Sequence, residues 1–351
     1  MMPLALQLRA RRRRRLWLAA AAVALLLLMA LASLCLGARG IAPGEVLRIL
    51  LLPQRWQAGI ADAPRAVLLE LRLPRTVMAL AAGAGLALSG AAMQGITRNP
   101  LVSPYTVGIS PAAAFGASLA ILAGAGGHAF GPYLIVAAAF ACAVSCAAMV
   151  LAFAALRGVS ATMLVLGGVG LTYLFGALTA SVQFVASEQQ LAAIVQWSFG
   201  SLNGITWREV SVCGVVLLAC APVLLAHAWA LNAFAAGGDD AAAALGFPVR
   251  RVRAVVTVAA VMTTASIVSF TGVIGFVGLV APHIARLVVG GDHRWLLPFS
   301  AATGALLVLA ADLAGRLLFA PVIIPVGIVV AYIGVPLFLH LLLSSRHKGE
   351  L

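Results

Sequence analysis

Charge is what this chain has least of. Only 9% of its 351 residues are Asp, Glu, Lys or Arg, while 63% are hydrophobic. A soluble domain carries roughly a quarter charged residues. Too little polar surface is available to cover a water-exposed globule, so the solvent must be lipid. Lysine is nearly missing: of 23 basic residues, only Lys348 is a lysine. A P-loop needs Gly-Lys-Ser/Thr to hold phosphates. Here the single lysine is followed by Gly349, which excludes a Walker A motif and makes this chain no ATPase by itself. Period-2 alternation is absent from Ala/Leu/Val blocks such as 16–36, which argues against a membrane β-barrel. The five cysteines (Cys35, Cys142, Cys146, Cys213, Cys220) all lie in apolar runs without a His at ligand spacing. They read as small buried hydrophobes rather than ligands. No Ser-His-Asp set, carboxylate pair or Cys-His pair stands at persuasive spacing.

What is present is a series of apolar blocks at about 16–37, 74–97, 104–124, 132–156, 160–186, 207–230, 254–271, 273–289, 295–318 and 323–343. A hydrocarbon core about 30 Å thick needs about 20 apolar residues per helix. Backbone groups in lipid must be satisfied internally, so the blocks are predicted to be helices. The expected fold is an all-α polytopic membrane protein of about ten spans. The Gly/Pro-rich blocks near 104–124 and 273–289 are the marginal ones. Residues 1–15 form a basic tail, 16–345 one transmembrane domain, and 346–351 a second tail.

The net charge of +13 is scattered between the spans. Without a basic stripe interleaved with aromatics it does not describe a nucleic-acid surface. Six basic residues fall in the first fifteen positions, where they meet anionic head groups and hold the N-terminus in the cytoplasm. The same Arg run followed by an apolar stretch resembles a signal peptide. However, 16–37 is longer than an h-region of about 7–15 residues, so an uncleaved first span is expected. The terminal Lys-Gly-Glu-Leu resembles a retention tail only loosely.

With ten spans and both termini inside, 15 of the 23 basic residues lie on the inner side, as the positive-inside bias expects. The exceptions are Arg39, Arg48, Arg55, Arg65, Arg72, Arg75, Arg208 and Arg316. Six of these eight crowd into 39–75, which also holds a short surface helix predicted to begin at Pro43, with Glu45 and Arg48 on one face. Two readings stand: an acidic partner docks there, or the arginines are snorkelling interface anchors.

The longest inner loop is LNAFAAGGDDAAAALGFPVRRVR, 231–253. Gly237-Gly238 breaks the chain, Asp239 is placed to cap a helix over Asp240–Leu245, and Gly246 ends it. Pro248 can start another, which gives two short helices lying across the inner face as a docking element.

Other groupings invite sharper readings. Gly167-Gly168-Val169-Gly170 superficially suggests a nucleotide loop, but it sits in an apolar helix with no preceding strand, so close packing is expected. Gly272, Gly275 and Gly278 recur every third residue and read as sites of backbone approach or local helix flexibility. His283, Asp292 and His293 invite a metal or acid–base site. A metal wants convergent ligands such as His at i and i+4, whereas here ten residues and Gly290-Gly291 separate the histidines. A turn, with Asp292 capping the next helix, is expected instead. Asp312 and Arg316 share a helix face. An ion pair explains that acid, while an intramembrane acid is also a functional candidate.

LRLPRTVMALAAGAGLALSGAAMQGITRNPLVSP (71–104), Ala244-Leu245-Gly246, GFVGLVAPHIARLVVGGDHRWLLP (275–298) and PVGIVVAYIGVPLFLHLL (325–342) together resemble the permease subunits of type II ABC importers. These are the siderophore, haem and vitamin B12 uptake systems, and the resemblance runs from about residue 42 to 343. It implies a subunit that pairs with a second copy or a sister. Two cytoplasmic ATPases, which bind the ATP and Mg, and a periplasmic binding protein complete such an importer in the bacterial inner membrane. This chain is then expected to bind no cofactor or metal of its own.

The resemblance assigns ATPase coupling to Asp239, Asp240, Ala244, Leu245, Gly246 and Arg250. It assigns binding-protein docking to Arg72, Arg75 and Arg316, and the inner gate to Asn99, Leu101, Ser160 and Thr162. Iron–siderophore is the expected cargo, with haem and cobalamin as alternatives. The chain departs from the pattern at Ile323, where the family has Glu, and at Pro111 and Ala112, where Gly is usual at the second position. Two other classes compete: a secondary transporter, disfavoured by the lack of a coupling acid deep in the pathway, and a membrane enzyme built on His283.

Overall fold

A computed structural model describes residues 4–37, 40–52, 62–125, 130–157, 161–318 and 320–345. Thirteen helices carry these residues, and no strand occurs among them. They are α1 (Leu4–Cys35), α2 (Pro43–Leu51), α3 (Asp62–Thr97), α4 (Ile109–Leu122), α5 (Gly131–Arg157), α6 (Ala161–Val185), α7 (Glu188–Ser198), α8 (Trp207–Ala226), α9 (Ala228–Ala244), α10 (Val249–Thr271), α11 (Val277–Val289), α12 (His293–Leu317) and α13 (Val326–Ser345). Seven (α1, α3, α5, α6, α8, α10 and α12) are long and apolar enough to cross a membrane. The apolar helices α4, α11 and α13 are shorter in their apolar length and complete the ten predicted blocks. Of the two marginal blocks, 104–124 shortens because a 3-10 turn (Pro104–Val107) precedes α4. The 273–289 block shortens because the chain from Gly272 to Phe276 is irregular.

Composition sorts the helices into layers. The apolar window of α3 is 78% buried and that of α10 72%, against 17% for both α1 and α8. The inner pair is rich in Gly, Ala, Ser and Thr. Between helices in lipid, small residues allow backbones to approach, and hydroxyls bond back to the preceding turn. Thr97 donates to the Met93 carbonyl, Thr263 to Ala259 and Ser269 to Ala265. A Cβ on Gly83 would stand 2.2 Å from the Gly304 carbonyl oxygen of α12, and one on Gly90 1.8 Å from that of Gly278 in α11. These two crossings fix α3 at the centre. Gly168 packs its backbone on Thr106 and Val107 in the same way, as close packing predicted.

The predicted surface helix is α2, with Pro43 in its first turn and Val46 and Ile49 buried against Leu34, Cys35 and Leu68. The helix α7 is not anticipated by the hydrophobic pattern. Its signal is the capping box of Ser187 and Gln190. Pro111 lies in the first turn of α4, where a missing N–H is tolerated, and Ala112 is fully buried.

Candidate functional site

Both ends of the helix bundle are polar. The N-terminal face gathers Arg15, the end of α3, the end of α9 and the α11–α12 turn. The far face gathers the end of α1, the start of α3, Asn203 and the end of α12.

On the N-terminal face, α9 breaks where the two glycines predicted. Gly238 has φ +78°, a region costly for any residue with a Cβ. A Cβ there would also meet the Arg98 guanidinium at 2.7 Å. Beyond the break, Asp239, Asp240, Ala244, Leu245 and Gly246 are all exposed, and Leu245 presents 67% of its surface. Gly246, at φ +84°, ends the helix as expected.

Two expectations for this segment are corrected. Asp239 does not cap: its carboxylate receives both terminal nitrogens of Arg253, at 2.7 and 3.1 Å. Nor is there a second short helix, because Pro248 is the N-cap of α10 and Val249–Arg253 are the first turns of that spanning helix. The exposed ledge therefore ends at Gly246–Pro248, and Arg250 lies exposed on α10 itself.

Sequence reasoning passed over Arg253. It is only 2% exposed, donates at 3.4 Å to the Ile96 carbonyl at the end of α3, and stands 5.4 Å from the Phe234 ring. One side chain thus ties the ledge, α9 and α10 to α3. The signal available was a third arginine, at i+3 from Arg250 and immediately before the apolar block that starts at 254.

The α11–α12 turn is joined to the same face. Asp292 caps α12 as predicted, accepting from the Arg294 N–H. Its oxygens also receive the Arg294 guanidinium and Asn232 of α9, and Arg15 of α1 stands 3.7 Å away. The Arg294 hydrogen bonds, with help from Asn232 and against burial, hold this carboxyl well below the usual carboxylate range. His293 is buried, with its backbone N–H and ring Nδ1 both on Asn232 Oδ1. These contacts give Asp292 and His293 capping and packing work.

The far face brings the three predicted docking arginines together, but turns them inward. Arg72 donates to the Leu34 and Cys35 carbonyls that end α1. Arg75 meets Asp312 with its Nε and Nη2, at 2.9 and 2.8 Å, and its Nη1 meets Asn203. Arg316 bonds Ser33 Oγ at 2.7 Å and approaches Asp312 Oδ2 at 3.1 Å, an ion contact without hydrogen-bond alignment. The Asp312 side chain is 0% exposed. The predicted Asp312–Arg316 pair is present, and Arg75 is the counter-ion that the sequence concealed.

Of the gate residues, Asn99 accepts from the Leu101 N–H at 2.9 Å, while Leu101 and Thr162 are exposed. No hydrogen bond joins Asn99 to Thr162 among the described residues, and Ser160 lies outside them.

Residues 25–344 match the FecCD transport family. The chain is 41% identical over 291 residues to a cobalamin import system permease protein of Halobacterium salinarum, covering 82% of this chain and 76% of that protein. It is 34% identical over 326 residues to a molybdate import system permease protein of Haemophilus influenzae, covering 91% and 93%. A solved inward-facing metal-chelate type ABC transporter superposes with a TM-score of 0.81 at 34% identity, covering 92% of this chain and 98% of that one. The ten apolar segments, the ledge after Gly238 and the capped α11–α12 turn are therefore parts of a multi-pass ABC importer permease, and the chain belongs to the FecCD transport family.

Proposed function

We propose that this chain is the translocating subunit for a metal chelate, an iron–siderophore complex in the first instance. It works as one half of a permease pair in the bacterial inner membrane. The metal-chelate type of its structural relative supports that cargo, and the cobalamin and molybdate relatives define the competing ones. In this reading the N-terminal face is cytoplasmic and carries two ATPase subunits, which bind the ATP and Mg. The far face receives a periplasmic binding protein.

The observation that carries the reading is the ledge at 239–246. It is exposed and apolar at its tip, and Arg253 fixes it to the central helix. Leu245 stands out from the bundle beside the exposed Ala243 and Ala244, which gives the ledge an apolar tip that a partner surface can cover. Closure of the ATPase pair moves the ledge, and Arg253 passes that movement to Ile96 and along α3. Asn99, Leu101 and Thr162 act as the gate, and Ser160, outside the described residues, is assigned to it on the family resemblance alone. Arg72, Arg75 and Arg316 orient the docking surface, where acidic groups on the binding protein meet the positive field of the cluster.

The deciding measurement is uptake into vesicles containing the permease and purified partners. Uptake is expected to require ATP, and uptake driven by a proton gradient alone overturns the reading in favour of a secondary transporter. Leu245→Asp is expected to leave insertion intact and to release the ATPase subunits on purification. Unchanged co-purification counts against the ledge. Arg75→Gln should weaken binding-protein association in a salt-sensitive manner, and normal affinity removes Arg75 from docking.

A further inference from the structure

A groove of about 430 Å³ opens on the N-terminal face between the end of α8 and the start of α10. Its walls include Ala226, Phe247 and Val255, and its polar groups are His227 and Arg251. The level of this groove is set by the chain itself. His227 is the residue at which α8 ends, and Pro248 is the N-cap of α10, so the groove lies where one spanning helix leaves the hydrocarbon and the next enters. Trp229, 61% exposed, marks the same level, as interfacial tryptophans do.

Among the described residues lining the groove, Arg251 is the only charged one, and it is exposed. It makes no ion pair or hydrogen bond among the described residues. That separates it from Arg253, two residues on, which is fully engaged. The His227 ring donates Nδ1–H to the Val223 carbonyl at 2.7 Å. A carbonyl only accepts, so Nδ1 carries a proton, and in the neutral ring Nε2 is left as an acceptor. The groove thus offers a guanidinium for an anion and an imidazole nitrogen for a hydroxyl.

Above it the surface is apolar. Val255 and Val258 continue the Arg251 face of α10 at i+4 and i+7, and Val258 is exposed. On α8, Leu218 and Leu225 are also exposed. A charged and hydroxyl-accepting pocket at the interface, with an apolar seam leading into the membrane, has the anatomy of a phospholipid site.

We propose that this groove binds the head group of an anionic, hydroxyl-bearing phospholipid such as phosphatidylglycerol. The phosphate pairs with Arg251, a head-group hydroxyl donates to His227 Nε2, and the acyl chains follow the α8–α10 seam. The anionic phosphate excludes neutral detergent as an equivalent occupant. The amphipathic layout favours lipid over a soluble partner.

The test is native mass spectrometry of the full permease, alone and with its ATPase subunits, titrated with phosphatidylglycerol or phosphatidylcholine. Selective retention of phosphatidylglycerol is expected, and Arg251→Gln should weaken it about fivefold, the contribution of one arginine near a membrane surface. Replacing the exposed Arg12, Arg13 and Arg14 by Gln controls for general attraction and should leave the tight site unchanged. Three results overturn the proposal. In the first, Arg251→Gln retains phosphatidylglycerol as well as the parent chain does. In the second, inorganic phosphate displaces the lipid at equal concentration, which makes this a free-anion site. In the third, lipid is lost once the ATPase subunits bind, which makes the groove part of their interface.

Discussion

The two faces of the bundle use the same chemistry, an arginine on a carboxylate, to opposite ends. At the far face the carboxylate of Asp312 is sealed from solvent and shared by Arg75 and Arg316. At the N-terminal face the roles invert: Arg253 is sealed, and half of the Asp239 side chain remains exposed. A sealed acid with two cations cannot be opened without leaving charge in a poor solvent. The half-exposed Asp239 regains water on release, while Arg253 keeps the Ile96 carbonyl and the Phe234 ring. The far hub is therefore a fixed joint, and the Asp239–Arg253 pair is a joint able to work.

Removing the far-face acid should have the largest effect. Asp312→Asn leaves two inward-facing guanidinium groups without their counter-charge and is expected to cost about 3–5 kcal/mol in unfolding free energy. Thermal unfolding in detergent measures it, and a loss below that of Asp239→Asn would erase the distinction between the faces. Next comes the shaft between them. Gly90→Ala drives a methyl group into the Gly278 carbonyl and should cost about 1–3 kcal/mol by overpacking. Asp239→Asn should cost about 1–3 kcal/mol, less than Asp312→Asn, because the buried Arg253 keeps the amide oxygen, the Ile96 carbonyl and the Phe234 ring as partners. Its effect should appear in the coupling of ATP hydrolysis to transport rather than in yield.

The smallest effect concerns Asp292. Its native carboxyl is depressed below the ordinary range, chiefly by Arg294. The native state therefore holds the proton more weakly than the unfolded chain, and this contribution is complete above about pH 5 and drains as pH falls further. The stability gap between the parent chain and Asp292→Asn should be flat from pH 8 to 5 and narrow below pH 4. A gap that widens on acidification would reverse the sign of this assignment.

What could be read in advance was what local chemistry dictates. The ten apolar segments, Pro43 opening a surface helix, the break at Gly237-Gly238 and the cap at Asp292 all depend on a few neighbouring residues. The exposed ledge was legible for the same reason. What stayed hidden was pairing across distance. Arg75 and Asp312 are 237 positions apart, and nothing near either one names the other. Arg72, Arg75 and Arg316 stood out because basic residues on the outer side run against insertion bias, and the family resemblance assigned them to docking. Arg72 holds backbone carbonyls of α1, which sequence does not distinguish from any others, Arg316 holds the Ser33 hydroxyl and Asp312, and Arg75 holds Asp312 and Asn203. Arg253 was missed because it looked like the tail of a charge cluster. Its burial follows from the packing of α3 beside α10, a tertiary fact.

The helix α1 has only 17% of its apolar window buried in the bundle, and it is held at its two ends. Arg15 fastens one end to Val289 and Asp292, and the other end is gripped by Arg72 and Arg316 through the carbonyls and hydroxyl of Ser33, Leu34 and Cys35. Such an element behaves as a tie-rod. It bears on α12 at both faces, so any tilt of α12 that lengthens the distance between those anchors is resisted along the axis of a continuous helix, the stiffest direction a polypeptide has. Movement of α12 is thereby limited from the outside of the bundle, by a helix that lies apart from its centre.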